Sequence, residues 1–152
     1  LAKRLALTLA SEAIRDLLVA HRPGDWPLVF AVDESTWPRC DAETSPERGF
    51  YYSASKHSAG QPIVAGWSYA WLAQLSFTHD SWTAPLDVRR VPVDGDAHRT
   101  AAAQLRELVR RRPANGAAPL CLFDAGYDPG ALARALGELS ADGRIVFRKA
   151  AP

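Results

Sequence analysis

Two stretches of the chain share one design: four or five apolar residues, then at once an aspartate, then a small or polar loop. Leu28-Val29-Phe30-Ala31-Val32 runs into Asp33, and Leu120-Cys121-Leu122-Phe123 runs into Asp124. A run this short, with no polar alternation, fits a strand covered on both faces. Each aspartate is then expected at the C-terminal end of a buried strand. Parallel neighbours lie about 4.8 Å apart, so two such strands side by side would bring both carboxylates to one rim of one sheet.

The intervening sequence supplies the other elements. Leu5, Leu9, Ala13 and Leu17 recur every four residues and predict an N-terminal helix, with that stripe as its packed face, ended by Pro23-Gly24. This makes residues 1–24 a helical lead-in and 25–152 the core domain. Residues 34–48, with Pro38 and Pro46, read as a loop. Phe50-Tyr51-Tyr52-Ser53 reads as a strand, 58–61 as a turn, and Ile63 to Leu75 as a longer aromatic strand. Three strands in a meander are expected so far. Residues 76–95 hold Pro85, Pro92 and Gly95 and read as an irregular connection. Asp96 caps a helix whose buried stripe is Ala101, Leu105, Leu108 and Val109. Asp128-Pro129 opens another, with Leu132, Leu136 and Leu139 facing inward. Asp142-Gly143 turns into a last strand at Ile145-Val146-Phe147.

The expected fold class is therefore α/β: a mixed sheet in the order βββαβαβ behind an N-terminal helix, with helices on the faces of the sheet. That is the layout of the ribonuclease-H-like fold, and other mixed α/β folds share it. A fold of this kind does not itself specify an activity.

Composition narrows the function classes. The 47% hydrophobic and 23% charged residues make an ordinary globular mix, and the net charge of +1 creates no overall field that demands nucleic acid. No apolar run is long enough to span a bilayer. Cys40 and Cys121 form no zinc spacing, and Cys121 reads as a core residue, so a reducing cytoplasm is the expected compartment. The chain has no methionine, opens inside a helix and stops just after a strand. It is expected to be a fragment of a longer protein.

Two aspartates at one rim suit hard divalent cations. Two-metal phosphoryl chemistry uses carboxylates to hold ions about 3.5–4 Å apart, and Mg²⁺ takes few carboxylate oxygens while keeping several waters. The opposing account is that each aspartate merely caps a strand end or helix start. Matching contexts in this element order favour the metal site.

The residues also resemble a known family. Ala31-Val32-Asp33-Glu34-Ser35-Thr36-Trp37-Pro38-Arg39 is similar to the first-aspartate motif of DDE superfamily transposases of bacterial insertion sequences. His57 through Tyr69 resembles the turn and strand that follow, and Phe123-Asp124-Ala125-Gly126-Tyr127-Asp128 resembles the second-aspartate motif. The likeness runs from about residue 26 onward. It implies an endonuclease and strand-transfer core acting on transposon-end DNA with Mg²⁺ or Mn²⁺, homo-oligomeric in its full-length form and nucleoid-associated when bound to DNA. Asp33 and Asp124 match the first and second catalytic, metal-holding acids. The family's third acid is a Glu on a helix after the fifth strand, and the sequence stops before it. Glu138 precedes that strand and is not assigned. The fragment alone is expected to be inactive.

Other residues carry weaker signals. Alternation sends Glu34 to the face opposite Asp33. Lys56 and His57, at the turn before the aromatic strand, and Arg148 and Lys149, at the last strand, are candidate DNA contacts. A solvated turn and a charged strand end explain them as well. Arg89 and Arg90 with Arg110 to Arg112 read as a basic stripe or, more simply, as solvated helix-end charges. Trp67 and Trp71, four apart, read as packing on one side of a strand. Gly66-Trp67-Ser68-Tyr69-Ala70 approximates a serine-hydrolase elbow, but Ser68 sits in a strand pattern and no His follows His98. An aspartyl-phosphate phosphatase would need an acid where Ser35 stands. The remaining rival is a non-catalytic transposase remnant, or a domain that binds DNA or protein without cutting.

Overall fold

The computed structural model describes residues 12–21, 23–52, 62–76, 82–112 and 116–149. The strands are β1 (Val29–Pro38), β2 (Gly49–Tyr52), β3 (Ile63–Leu75), β4 (Thr83–Val91), β5 (Leu120–Phe123) and β6 (Val146–Lys149). The helices are α1 (12–20), α2 (Ala97–Arg110) and α3 (Pro129–Ala141). Together they form a mixed α/β fold on one six-stranded sheet. No helix among the described residues is long and apolar enough to cross a membrane.

β3 is the organiser. Its thirteen residues alternate strictly between buried even positions and half-buried or exposed odd ones. One edge pairs antiparallel with β1, from Phe30 opposite Gln74 to Pro38 opposite Gly66. The other edge takes β2 along its first four residues and β4 along the rest. On the far side of β1, β5 and then β6 add in parallel.

Three expectations change here. β1 does not stop at Asp33. It continues to Pro38 because β3 is long enough to pair with every residue up to that point, so the polar 34–38 segment is strand rather than loop. β1 also pairs with β3 and not with β2, so the first three strands are not a sequential meander. Finally, 83–91 is a strand within the segment read as irregular, which adds an element to the expected order. Pro85 disguises it. Here it lies on an edge strand beside a register shift at Leu72/Ala73, where a residue without an N–H costs no ladder bond.

The helices account for the burial pattern. Asp96 accepts from the His98 N–H and caps α2; Asp128 accepts from the Ala131 N–H and caps α3, with Pro129 in its first turn. Ala101, Leu105, Leu108 and Val109 are buried as expected, with Leu132 and Leu136 opposite them, and Leu139 packs partly buried beside them. These meet Phe30, Val32, Leu72 and Phe123 from the even face of the sheet. Each fully buried side chain of this size contributes roughly 1.5–3 kcal/mol. Gln104 docks α2 by donating to the Ala70 carbonyl at 3.0 Å.

The N-terminal helix turns a different stripe inward from the one expected. Arg15 and Val19 face Leu72, Leu86 and Leu108, while Leu17 is 58% exposed. Arg15 stands 3.8 Å from the buried Asp87 carboxylate, and Asp16 pairs with Arg111, so ion pairs orient α1 rather than its leucines. Leu5 and Leu9 lie outside the described residues. All three described helices therefore lie on one face. The other face carries Trp67, Tyr69 and Trp71, half-buried. The Arg39 and Arg90 guanidiniums both stand over the Trp67 ring, and the Trp71 indole donates to Ser35 at 2.7 Å.

Gly66 is required by close approach. A Cβ there would lie 2.1 Å from the Trp37 carbonyl oxygen and 3.0 Å from the Pro38 Cα. The glycine lets β1 and β3 stay paired to the end of β1.

Candidate metal centre

The last paired residues of β1 and β5 are Val32 and Phe123, directly opposite one another. Asp33 and Asp124 are the next residue in each case. β5 ends there, so the β5-side edge of β1 opens just where the first aspartate stands. Burial of Phe30, Val32, Cys121 and Phe123 on the even face sets this register.

Both carboxylates are held by short backbone bonds. The Asp33 Oδ1 accepts from the Glu34 N–H at 2.8 Å, and the Asp124 Oδ1 accepts from the Gly126 N–H at 2.8 Å. Among the described residues neither Oδ2 has a partner. Partial burial raises the Asp33 carboxyl above the ordinary range. The Glu34 N–H opposes that rise, and the negative charge of Asp124 adds to it. The two aspartates therefore lie near enough to repel.

A cavity of about 640 Å³ opens on the helix side, lined by Glu34, Thr36, Tyr51, His98, Asp124 and Tyr127. Asp33 does not line it, because alternation places its side chain on the opposite face of β1. Asp124, in the loop after β5, lines the cavity, and its charge reaches Asp33. Glu34 lies on the helix side as alternation requires, where the buried Ser68 hydroxyl donates to its Oε1. That bond fixes Ser68 in mid-strand, away from any nucleophile elbow. Among the described residues, no three His, Cys, Asp or Glu side chains converge closely enough to hold a metal ion.

Two further residues frame the cavity, and sequence reasoning missed both. Tyr127 is 3% exposed; burial pushes its phenol well above the usual value, and the charges of Glu34, Asp33 and Asp124 push it the same way. His98 meets the Tyr127 ring edge-on, with centroids 5.3 Å apart. Its Nε2 accepts from the Asp128 N–H at 2.8 Å, and Nδ1 lies 2.9 Å from Asp96 Oδ1. An Nε2 that accepts leaves the proton on Nδ1, so the imidazole donates to Asp96. His98 thus ties the start of α2 to the start of α3, beside the Asp124 loop. The only signal in the sequence was its place two residues after a capping aspartate.

Of the candidate DNA contacts, Arg148 is exposed on β6, opposite Leu122. Lys149 ends that strand, but its side chain lies outside the described residues, as do Lys56 and His57 altogether. The basic stripe does not form. Arg89 and Arg90 point to opposite faces and pair with Asp87 and Glu47, while Arg110 and Arg111 both grip Glu107.

No curated protein and no solved structure matches the chain significantly. A family model described as DDE superfamily endonuclease matches residues 2–148, a span that includes both aspartates and every described strand up to the start of β6. With nearly the whole chain covered, this protein belongs to the DDE superfamily endonucleases.

Proposed function

We propose that the domain is the metal-dependent, phosphodiester-cleaving core of a transposase, with a ribonuclease-H-like fold, in which Asp33 and Asp124 hold Mg²⁺ or Mn²⁺. The carrying observation is the register that makes the two aspartates neighbours at the point where β5 ends. The strand order β4-β3-β1-β5-β6, with β3 running against the other four, supports the fold reading. The DNA partner in this reading is a transposon end, taken up in the cytoplasm by a homo-oligomer of the full-length protein.

The donor set fits a hard cation. Each aspartate spends one oxygen on a backbone N–H, which fixes its direction, and keeps the other for a ligand. A bound cation would supply Lewis acidity at the phosphate and an acidified water. Asp33 and Asp124 bind and orient it. Glu34, held by Ser68, keeps its charge on the helix side. The amides at the start of α2 and α3 set a positive potential near the same loop.

Manganese titration with thermal unfolding tests the reading. Occupancy at a hundred times Kd stabilises by about 2.7 kcal/mol, which raises the midpoint of a domain this size by about 5–10 °C. Asp33→Asn should abolish that rise. The same substitution should raise the metal-free midpoint at neutral pH. A carboxyl whose folded pKa is raised opposes folding once it ionises, with the penalty setting in as pH climbs through the unfolded value and complete above the folded one. A midpoint that ignores manganese in the unaltered protein would sink the proposal.

That only two carboxylates meet here among the described residues favours, as the second reading, a domain that binds DNA without cutting it. Duplex binding by a protein whose unfolding midpoint ignores manganese would favour this second reading, and a manganese shift lost in both Asp33→Asn and Asp124→Asn would favour the first.

A further inference from the structure

We propose that the groove between α2 and α3 is a track for the phosphate backbone of duplex DNA leading to the Asp124 loop; this rests on the nuclease reading above. Two ties align the helices. The Asp128 N–H reaches His98, and Arg106 Nη2 donates to the Ala135 carbonyl. Between the ties α2 advances eight residues and α3 seven. The helices therefore run parallel and in step, with both N-termini at the end of the sheet where Asp124 emerges.

The groove encloses about 580 Å³ and is lined by Asp96, His98, Arg99, Arg106 and Arg134 over a floor of alanines that includes Ala102, Ala131 and Ala135. The small floor lets a bulky strand settle between the helices. His98 lines both this groove and the Asp124 cavity, so the two adjoin at that side chain.

The groove gathers three arginines that carboxylates do not neutralise closely; Arg48, Arg144 and Arg148 also lack a carboxylate within 4.0 Å among the described residues, but none of them lines it. Arg39, Arg89, Arg90 and Arg111 each pair with a carboxylate. Among the described residues, Arg106 and Arg134 have no carboxylate partner within 4.0 Å, and Arg99 is 87% exposed with Asp96 only at 3.8 Å. Three cations thus face one acid that His98 already engages. Arg99 and Arg106 are seven residues apart, or about 10 Å along the helix axis. Laid along the duplex axis, that length covers about three phosphates of one strand, at about 3.4 Å of axial rise each.

Fluorescence anisotropy of a labelled duplex, in EDTA and across a salt series, reads the contact count directly. Each phosphate contact adds about 0.9 to the slope of log K against log salt. Arg99→Gln with Arg134→Gln removes two cations from exposed side chains of the groove lining, and should lower the slope by about 2. Arg110→Gln, whose side chain is bound to Glu107, should leave it unchanged. Arg106→Lys keeps the cation while giving up the tie to Ala135, and should keep the slope. A double variant with the slope of the unaltered protein, an Arg106→Lys that loses slope, or an unaltered protein that does not bind the duplex would each overturn the proposal. EDTA keeps the assay independent of the aspartates. Failure here with the manganese shift intact removes only the groove, and the reverse outcome removes only the cleavage reading.

Discussion

Replacing Gly66 by alanine should be among the most damaging single-methyl changes in this domain. The new Cβ would sit 2.1 Å from the Trp37 carbonyl oxygen and 2.9 Å from its carbon, and both are main-chain atoms that cannot rotate away. Real Cβ contacts essentially never fall below 3.0 Å, so the end of β1 must retreat from β3 by nearly an ångström. The neighbouring rung, Arg39 N–H to the Ala65 carbonyl at 2.8 Å, would then stretch beyond hydrogen-bond range. Losing one or two such bonds at about 1 kcal/mol each, plus the strain of overpacking at about 1–3 kcal/mol, gives a loss of about 3 kcal/mol. With a urea slope near 2 kcal/mol per molar, the midpoint should fall by about 1.5 M. Gly137→Ala is the matched control. Nothing lies within 4 Å of its added methyl, so alanine inside α3 should stabilise by about 0.5–1 kcal/mol. If Gly66→Ala costs less than about 1 kcal/mol, the strands can part more easily than this packing argument allows.

Two further outcomes are specific. Arg110, then Arg111, hold the Glu107 carboxyl down at about 2, against the partial burial that opposes them. That stability is fully present above the ordinary glutamate value of 4.5 and is lost as pH falls through about 2. Glu107→Gln should therefore flatten the acid side of the stability profile in urea melts, and an unchanged acid limb would contradict the pairing. Cys40 is exposed, whereas burial pushes the Cys121 thiol up to about 12. A disulfide reagent at neutral pH should titrate one thiol in the folded protein and two after denaturation; rapid reaction of both in the native state would show that β5 is open to solvent.

Much of this arrangement is legible in the residues themselves. The two apolar runs, the caps at Asp96 and Asp128 and the inward stripes of α2 and α3 are local features, and local rules recover them. What escaped depends on contacts distant in sequence. Residues 34–38 look like loop until a thirteen-residue partner is laid beside them. Residues 83–91 look irregular because Pro85 is forbidding in a central strand and harmless on an edge. The inward face of α1 is decided by Asp87 and Arg111, which the helical period of residues 5–17 does not reveal. At the site, Asp33 and Asp124 stood out because an acid abruptly ends each apolar run. Tyr127 and His98 gave no comparable sign, since an aromatic ring beside a helix cap has many uses and only the meeting of α2 with α3 selects one.

The pairing of Val32 with Phe123 has a consequence for how this protein can vary. Side chains along a pleated strand obey parity, so displacing β1 by a single residue would exchange the roles of Asp33 and Glu34 and also turn Phe30 and Val32 out into water. An error in aiming the acid cannot arise quietly, because it carries the loss of the core with it. Insertions should be tolerated between Arg39 and Arg48, downstream of the aligned segment, and lethal between Val29 and Asp33, where the chain has no silent way to be one residue longer.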